Sequence, residues 1–115
     1  MGKVTVVNKY KEPDHIYCGR GSALGNPFVL GRDGDRDAVC NKYEEWFYQN
    51  VHEDKFLSYI EDYGVTLDPI HKMLCNIYED AERRDINLGC FCAPQRCHCD
   101  TIKNFIDNKL EESLK

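Results

Sequence analysis

The sequence predicts a small α/β fold, a short parallel sheet covered by helices. Three observations carry this reading. The β-branched run Val4-Thr5-Val6-Val7-Asn8 and the apolar run at 86–92 are separated by long stretches of helical periodicity. Glycine and proline crowd into residues 19–34, which leaves the rest free for regular elements. The length of 115 residues suits one domain spanning residues 1–115. Strands alternating with helices favour a parallel-type sheet covered by helices. Only two or three strands are visible, so the sheet is either small or completed by a second copy of the chain.

Taken in order, Val4–Asn8 reads as a buried first strand and residues 15–18 as a shorter second one. Five glycines and Pro27 within residues 19–34 indicate an ordered loop without regular structure. Asp35 is placed to cap a helix from Arg36, with Val39, Tyr43, Trp46 and Phe47 at helical spacing. Asp54 is expected to cap a second helix carrying Phe56, Leu57, Ile60 and Tyr63, with Gly64 as its stop. Asp68-Pro69 joins a cap to a proline at the first helical position. Ile70, Met73, Leu74, Ile77, Tyr78 and Ala81 follow it at spacings of three and four, and Arg83-Arg84 sits where the helix dipole favours positive charge. Residues 86–92 read as a strand, residues 93–96 as a turn. Asp100 is expected to cap the last helix, with Ile102, Phe105, Ile106, Leu110 and Leu114 on one face.

Composition narrows the function. Hydrophobic residues at 42% and charged residues at 30% describe a folding chain rather than a disordered one. No apolar run approaches the roughly 20 residues that span a bilayer, and the N-terminus carries no signal core. No membrane role is expected, and the chain reads as cytoplasmic. Seven cysteines, an odd number without a secretion signal, point to reduced thiols with a metal site possible. The net charge of −5 divides into about +3 over residues 1–32 and −8 over the remainder. Binding to an extended nucleic acid needs a broad basic face, which this balance does not provide. A local basic pocket for a small anion fits it.

Two motifs hold the candidate chemistry. The first is Tyr17-Cys18-Gly19-Arg20-Gly21-Ser22-Ala23-Leu24-Gly25-Asn26-Pro27-Phe28. Its glycines allow backbone amides to approach an anion, and Arg20 offers a planar fork of donors for phosphate or carboxylate. Ser22 and Asn26 add neutral hydrogen-bonding groups. The spacing is neither a Walker loop nor the dinucleotide fingerprint. A tight surface loop held by turns is the plainer alternative.

The second is Leu88-Gly89-Cys90-Phe91-Cys92-Ala93-Pro94-Gln95-Arg96-Cys97-His98-Cys99-Asp100. One reading gives Cys90, Cys92, Cys97 and His98, with Cys99, to a zinc ion. Paired C-x-x-C knuckles are missing, and Cys97-His98-Cys99 is too crowded for all three to ligate easily. A second reading makes the segment a pocket wall, where a strand ends and a helix begins. A third leaves the cysteines as small buried hydrophobes. Elsewhere His15, His52 and His71 read as surface or packing residues, and Trp46 with the tyrosines as core.

Together the motifs resemble a phage and bacterial family of unknown function. Its members share a Val-Val-Asn strand, a Tyr-x-Gly-Arg-x-Ser-x-x-Gly-Asn-Pro-Phe loop and a Cys-x-Cys-x-Pro-x-x-Cys-His-Gly-Asp segment. The matches are Val6-Val7-Asn8; Tyr17, Gly19, Arg20, Ser22, Gly25, Asn26, Pro27 and Phe28; and Cys90, Cys92, Pro94, Cys97, His98 and Asp100. Cys99 stands where that family has glycine, which marks it as incidental. The resemblance implies a Rossmann-like domain akin to nucleotide- and nucleoside-handling proteins.

On that basis a nucleotide-like ligand is expected between the motifs. Gly19, Arg20, Ser22, Gly25, Asn26 and Phe28 form one wall, with Arg20 on a phosphate. Cys92, Pro94, Cys97 and His98 form the other, and Asn26 and Asp100 orient a sugar or base. If there is catalysis, His98 or Asp100 is the acid/base and Cys97 the nucleophile. No cofactor is required, with zinc as the one possible. The rival expectations are a zinc-stabilised interaction module and an accessory protein whose acidic half, around Glu79-Asp80, contacts a host protein.

Overall fold

A computed structural model of the chain describes residues 2–62, 66–90 and 95–114. Strands β1 (Val4–Asn8), β2 (Ile16–Tyr17) and β3 (Ile86–Cys90) form one sheet in the order β1-β3-β2. Both pairings are parallel, and Val6 and Ile16 flank Leu88 on either side. The last strand in sequence is thus the central one. It is also the most apolar, with Ile86, Leu88 and Cys90 buried. The two-residue β2 leaves little open edge for another chain to pair with.

Helices α1 (Arg36–Asn50), α2 (Phe56–Glu61), α3 (Pro69–Arg83) and α4 (Cys99–Glu112) supply the rest of the core. The Asp35 carboxylate accepts from the Ala38 N–H at 2.9 Å, so the expected α1 cap is present. Asp68 likewise caps α3 through the His71 N–H at 2.9 Å, followed by Pro69. Phe47, Phe56 and Phe105 meet edge to face, at 5.4 Å and 5.0 Å, and join α1, α2 and α4. One buried cluster runs from Val4 to Leu110 and includes residues of all four helices. Among the described residues no helix is long and apolar enough to cross a membrane.

The local readings need two corrections. Asp54 caps nothing: it lies inside a 3-10 turn, Glu53–Lys55, that leads directly into α2. The last helix begins at Cys99, one residue before its expected cap. The Asp100 carboxylate instead reaches back to accept from the Cys97 N–H at 3.2 Å. The third strand is described over Ile86–Cys90, and the remainder of the expected 86–92 run lies outside the described residues, as do Tyr63 and Gly64.

Candidate functional site

Because all three strands are parallel, their carboxyl ends open on one edge of the sheet. At that edge lies a cleft of about 100 Å³. Its walls are the 19–28 loop, the first turns of α1, the end of β3 and the segment leading into α4. The two motifs therefore face each other across one space.

The loop is built by its own polar groups. The Arg20 guanidinium donates to the Asn26 carbonyl at 2.9 Å and the Phe28 carbonyl at 3.0 Å. The Ser22 hydroxyl donates to the Gly19 carbonyl at 2.6 Å, and the Asn26 side chain accepts from the Phe28 N–H at 2.9 Å. Tyr43 of α1 anchors the loop from below, its buried hydroxyl donating to the Leu24 carbonyl at 2.7 Å. At Gly25 an added Cβ would lie 2.5 Å from the Gly19 carbonyl oxygen, so only glycine closes this turn. Ser22 and Gly25 shape the loop and do not line the cleft, whereas Gly19, Arg20, Asn26 and Phe28 do. Arg20 holds its own loop with two of its five N–H donors, which leaves three and fixes the guanidinium plane.

Two further arginines, neither of them assigned to the expected site, enter the same space. Arg36 opens α1 and donates to the Arg96 carbonyl at 3.3 Å. Arg96 pairs with Asp37 at 3.1 Å and donates to the Asn41 side chain at 2.8 Å. Both positions carried a signal: Arg36 follows a clear cap, and Arg96 sits inside the second motif. Their convergence depends on contacts nearly sixty residues apart in the chain. Leu30, Val39 and Cys40 line it beside them, and Cys90, Cys97 and His98 complete the lining.

On the opposite wall His98 is 8% exposed. Its Nε2 lies 2.5 Å from the Cys18 carbonyl, so Nε2–H is the donor and Nδ1 carries the lone pair. Every fully buried side-chain nitrogen or oxygen among the described residues has a partner. Nδ1 has none, so it opens onto the cleft it lines. Burial lowers the His98 pKa from 6.5, against opposing effects that include its bond to Cys18, and keeps the ring neutral at neutral pH.

The thiols behave differently from a nucleophile. Cys90 and Cys97 sulfurs are 2.9 Å apart, and Cys97 is 3% exposed. The hydrogen bond with Cys90, followed by burial, pushes the Cys97 thiol up to about 12, despite a lowering contact from Cys99. A thiol held protonated is a poor nucleophile at neutral pH, which weighs against Cys97 in that role. Asp100 does not line the cleft, its carboxylate being bonded to the Cys97 N–H. Cys92 and Pro94 lie outside the described residues. Cys99 is fully buried, and its thiol contacts those of Cys18, Cys90 and Cys97, so it is not incidental to this chain. The sulfurs of Cys90, Cys97 and Cys99 lie within 4.8 Å of one another, close enough to share a metal ion.

Fold and cleft together define a small parallel α/β protein with an arginine- and thiol-lined cleft at its strand ends. A family model described as a domain of unknown function, DUF4326, matches residues 5–108, and the chain belongs to that family. It is similar to an uncharacterized 12.4 kDa protein in the nrdA-td intergenic region of Enterobacteria phage T4. The two are 25% identical over 111 residues, which cover 96% of this chain and 83% of that protein. No solved structure matches.

Proposed function

We propose that the cleft binds the phosphate of a nucleotide or nucleoside derivative. The observation that carries this reading is the convergence of Arg20, Arg36 and Arg96 on one space. Guanidinium groups held by their own loop and helix are preorganised for a planar, bidentate anion contact. The cleft's about 100 Å³ is well below the roughly 300–1,000 Å³ of a pocket for a drug-sized molecule. It therefore suits a phosphate-sized head group, with sugar and base resting outside on Phe28 and Leu30. Leu30 is 52% exposed at that lip. Ligand capture at the carboxyl ends of parallel strands is also the Rossmann-like habit, which favours that reading of the sheet. If the ligand is processed, His98 Nδ1 is the group with a free lone pair for accepting a proton. Cys18, Cys75 and Cys99 are free thiols, which favours a reducing cytoplasm, that of the host for a phage-encoded chain.

Titration calorimetry with inorganic phosphate and a panel of nucleoside monophosphates tests the reading. A nucleoside monophosphate is expected to bind more tightly than phosphate alone. Arg36→Gln and Arg96→Gln are each expected to weaken it about tenfold, the loss of one charge-assisted contact worth about 1.4 kcal/mol. Absence of binding at millimolar ligand, or unchanged affinity in both variants, would sink the proposal.

A further inference from the structure

Beneath the cleft lies a feature that anion binding does not use. Cys90 ends β3, Cys97 and Cys99 bracket the start of α4, and Cys18 follows β2. All four are buried, at 0–3% exposure. The sulfurs of Cys90, Cys97 and Cys99 lie within 4.8 Å of one another, and the Cys18 thiol meets that of Cys99. Around a tetrahedral zinc with Zn–S of about 2.3 Å, sulfurs sit about 3.8 Å apart. The three nearest sulfurs thus need to shift by no more than about 1 Å to share an ion. The fold itself gathers these residues from both sides of β3, and none of them is needed to hold the loop.

We propose that Cys18, Cys90, Cys97 and Cys99 form a four-thiolate site for one structural zinc ion. His98 does not ligate in this arrangement. Its Nε2–H is spent on the Cys18 carbonyl, 2.5 Å away, which orients a ligand's backbone from outside the shell. The turn into α4 places the Cys97 and Cys99 sulfurs together with that of Cys90, while the His98 Nε2, 3.9 Å from the Cys99 sulfur, is held by the Cys18 carbonyl. Binding exchanges protons for metal: Zn²⁺ displaces the four thiol protons, which leave to solvent, and no electron moves. The resulting site carries a formal charge of −2, and the guanidinium groups of Arg20, Arg36 and Arg96, the last paired with Asp37, lie beside it. The proposal goes beyond the nucleotide reading and stands or falls without it.

Protein purified without a histidine tag, with no chelator, is expected to hold one equivalent of zinc by elemental analysis. Cobalt(II) exchanged into it should give the visible absorption of a tetrahedral tetrathiolate site. Cys99→Ser is expected to weaken zinc at least 100-fold, whereas Cys75→Ser, a buried thiol of α3 outside the cluster, keeps one equivalent. Should Cys99→Ser fail to fold, alkylation of the native wild type decides. Zinc is expected to protect Cys18, Cys90, Cys97 and Cys99, and removing it to expose them. Three results overturn the proposal: less than about half an equivalent of zinc, a Cys18→Ser protein that keeps the tetrathiolate spectrum, or a Cys90–Cys97 disulfide in place of metal. None of these readouts depends on nucleotide binding, so the two proposals fail separately.

Discussion

Arg20 illustrates how one side chain serves structure before it serves a ligand. Its guanidinium bridges the carbonyls of Asn26 and Phe28 and so closes the 19–28 loop from within. A lysine retains the charge but not the planar fork. Arg20→Lys is therefore expected to lower stability by about 1 kcal/mol, measured by thermal unfolding in the absence of any ligand. An unchanged midpoint would mean that the loop is held without these bonds. The motif pattern made Arg20 visible as an anion contact, but its spacing carried no information about the two carbonyls, since they depend on how the loop folds. His71 shows the converse. It reads as a packing residue, and it is one: its buried ring accepts the His52 N–H at Nε2, 2.9 Å away, and pairs with Asp68 through Nδ1.

At the scale of elements, β3 and α4 set the geometry of the site. Gly89 allows the His15 ring to lie against the central strand, because an added Cβ would come within 2.2 Å of that ring. Gly89→Ala is expected to cost about 1–3 kcal/mol by overpacking. Combining it with His15→Ala should recover part of the loss in a double-mutant cycle of thermal unfolding. Additive losses would show that the clash is absorbed elsewhere. Helix starts were legible where a cap stood beside a clear periodic run, as at Asp35 and Asp68. They were misread at Asp54 and Asp100, since an acidic residue near a helix start is equally suited to a 3-10 turn or to a reach-back contact.

For the whole molecule, acid is the informative perturbation. The Arg32 hydrogen bond and the Val29 N–H hold the Asp33 carboxyl below 3.8. Burial raises Asp68, but the His71 N–H and ring outweigh it and leave that carboxyl low as well. Both groups are more acidic folded than unfolded, so their stabilisation is present above 3.8 and is lost as pH falls through the lower folded values. The unfolding midpoint is expected to drop below about pH 4, and less steeply in Asp68→Asn, which keeps a capping oxygen without the charge. Equal slopes in the two proteins would exclude Asp68 as a source. Charge is organised on the same scale. Against a net −5, three arginines gather at one cleft rather than over a face. In the acidic half, Arg83 and Arg84 lie 3.6 Å from Asp80 and offset its charge.

The chain's local chemistry was enough to indicate an α/β fold, two capped helices, an ordered glycine loop and a second motif at a strand end. These follow from short-range sterics, hydrogen bonding and periodicity, which act within a few residues. The central position of β3, the meeting of Arg20, Arg36 and Arg96, and the joining of Cys18 to the thiol cluster lay beyond it. Each depends on parallel pairing across a sheet whose middle strand is made last, and so on contacts between residues some sixty to eighty positions apart.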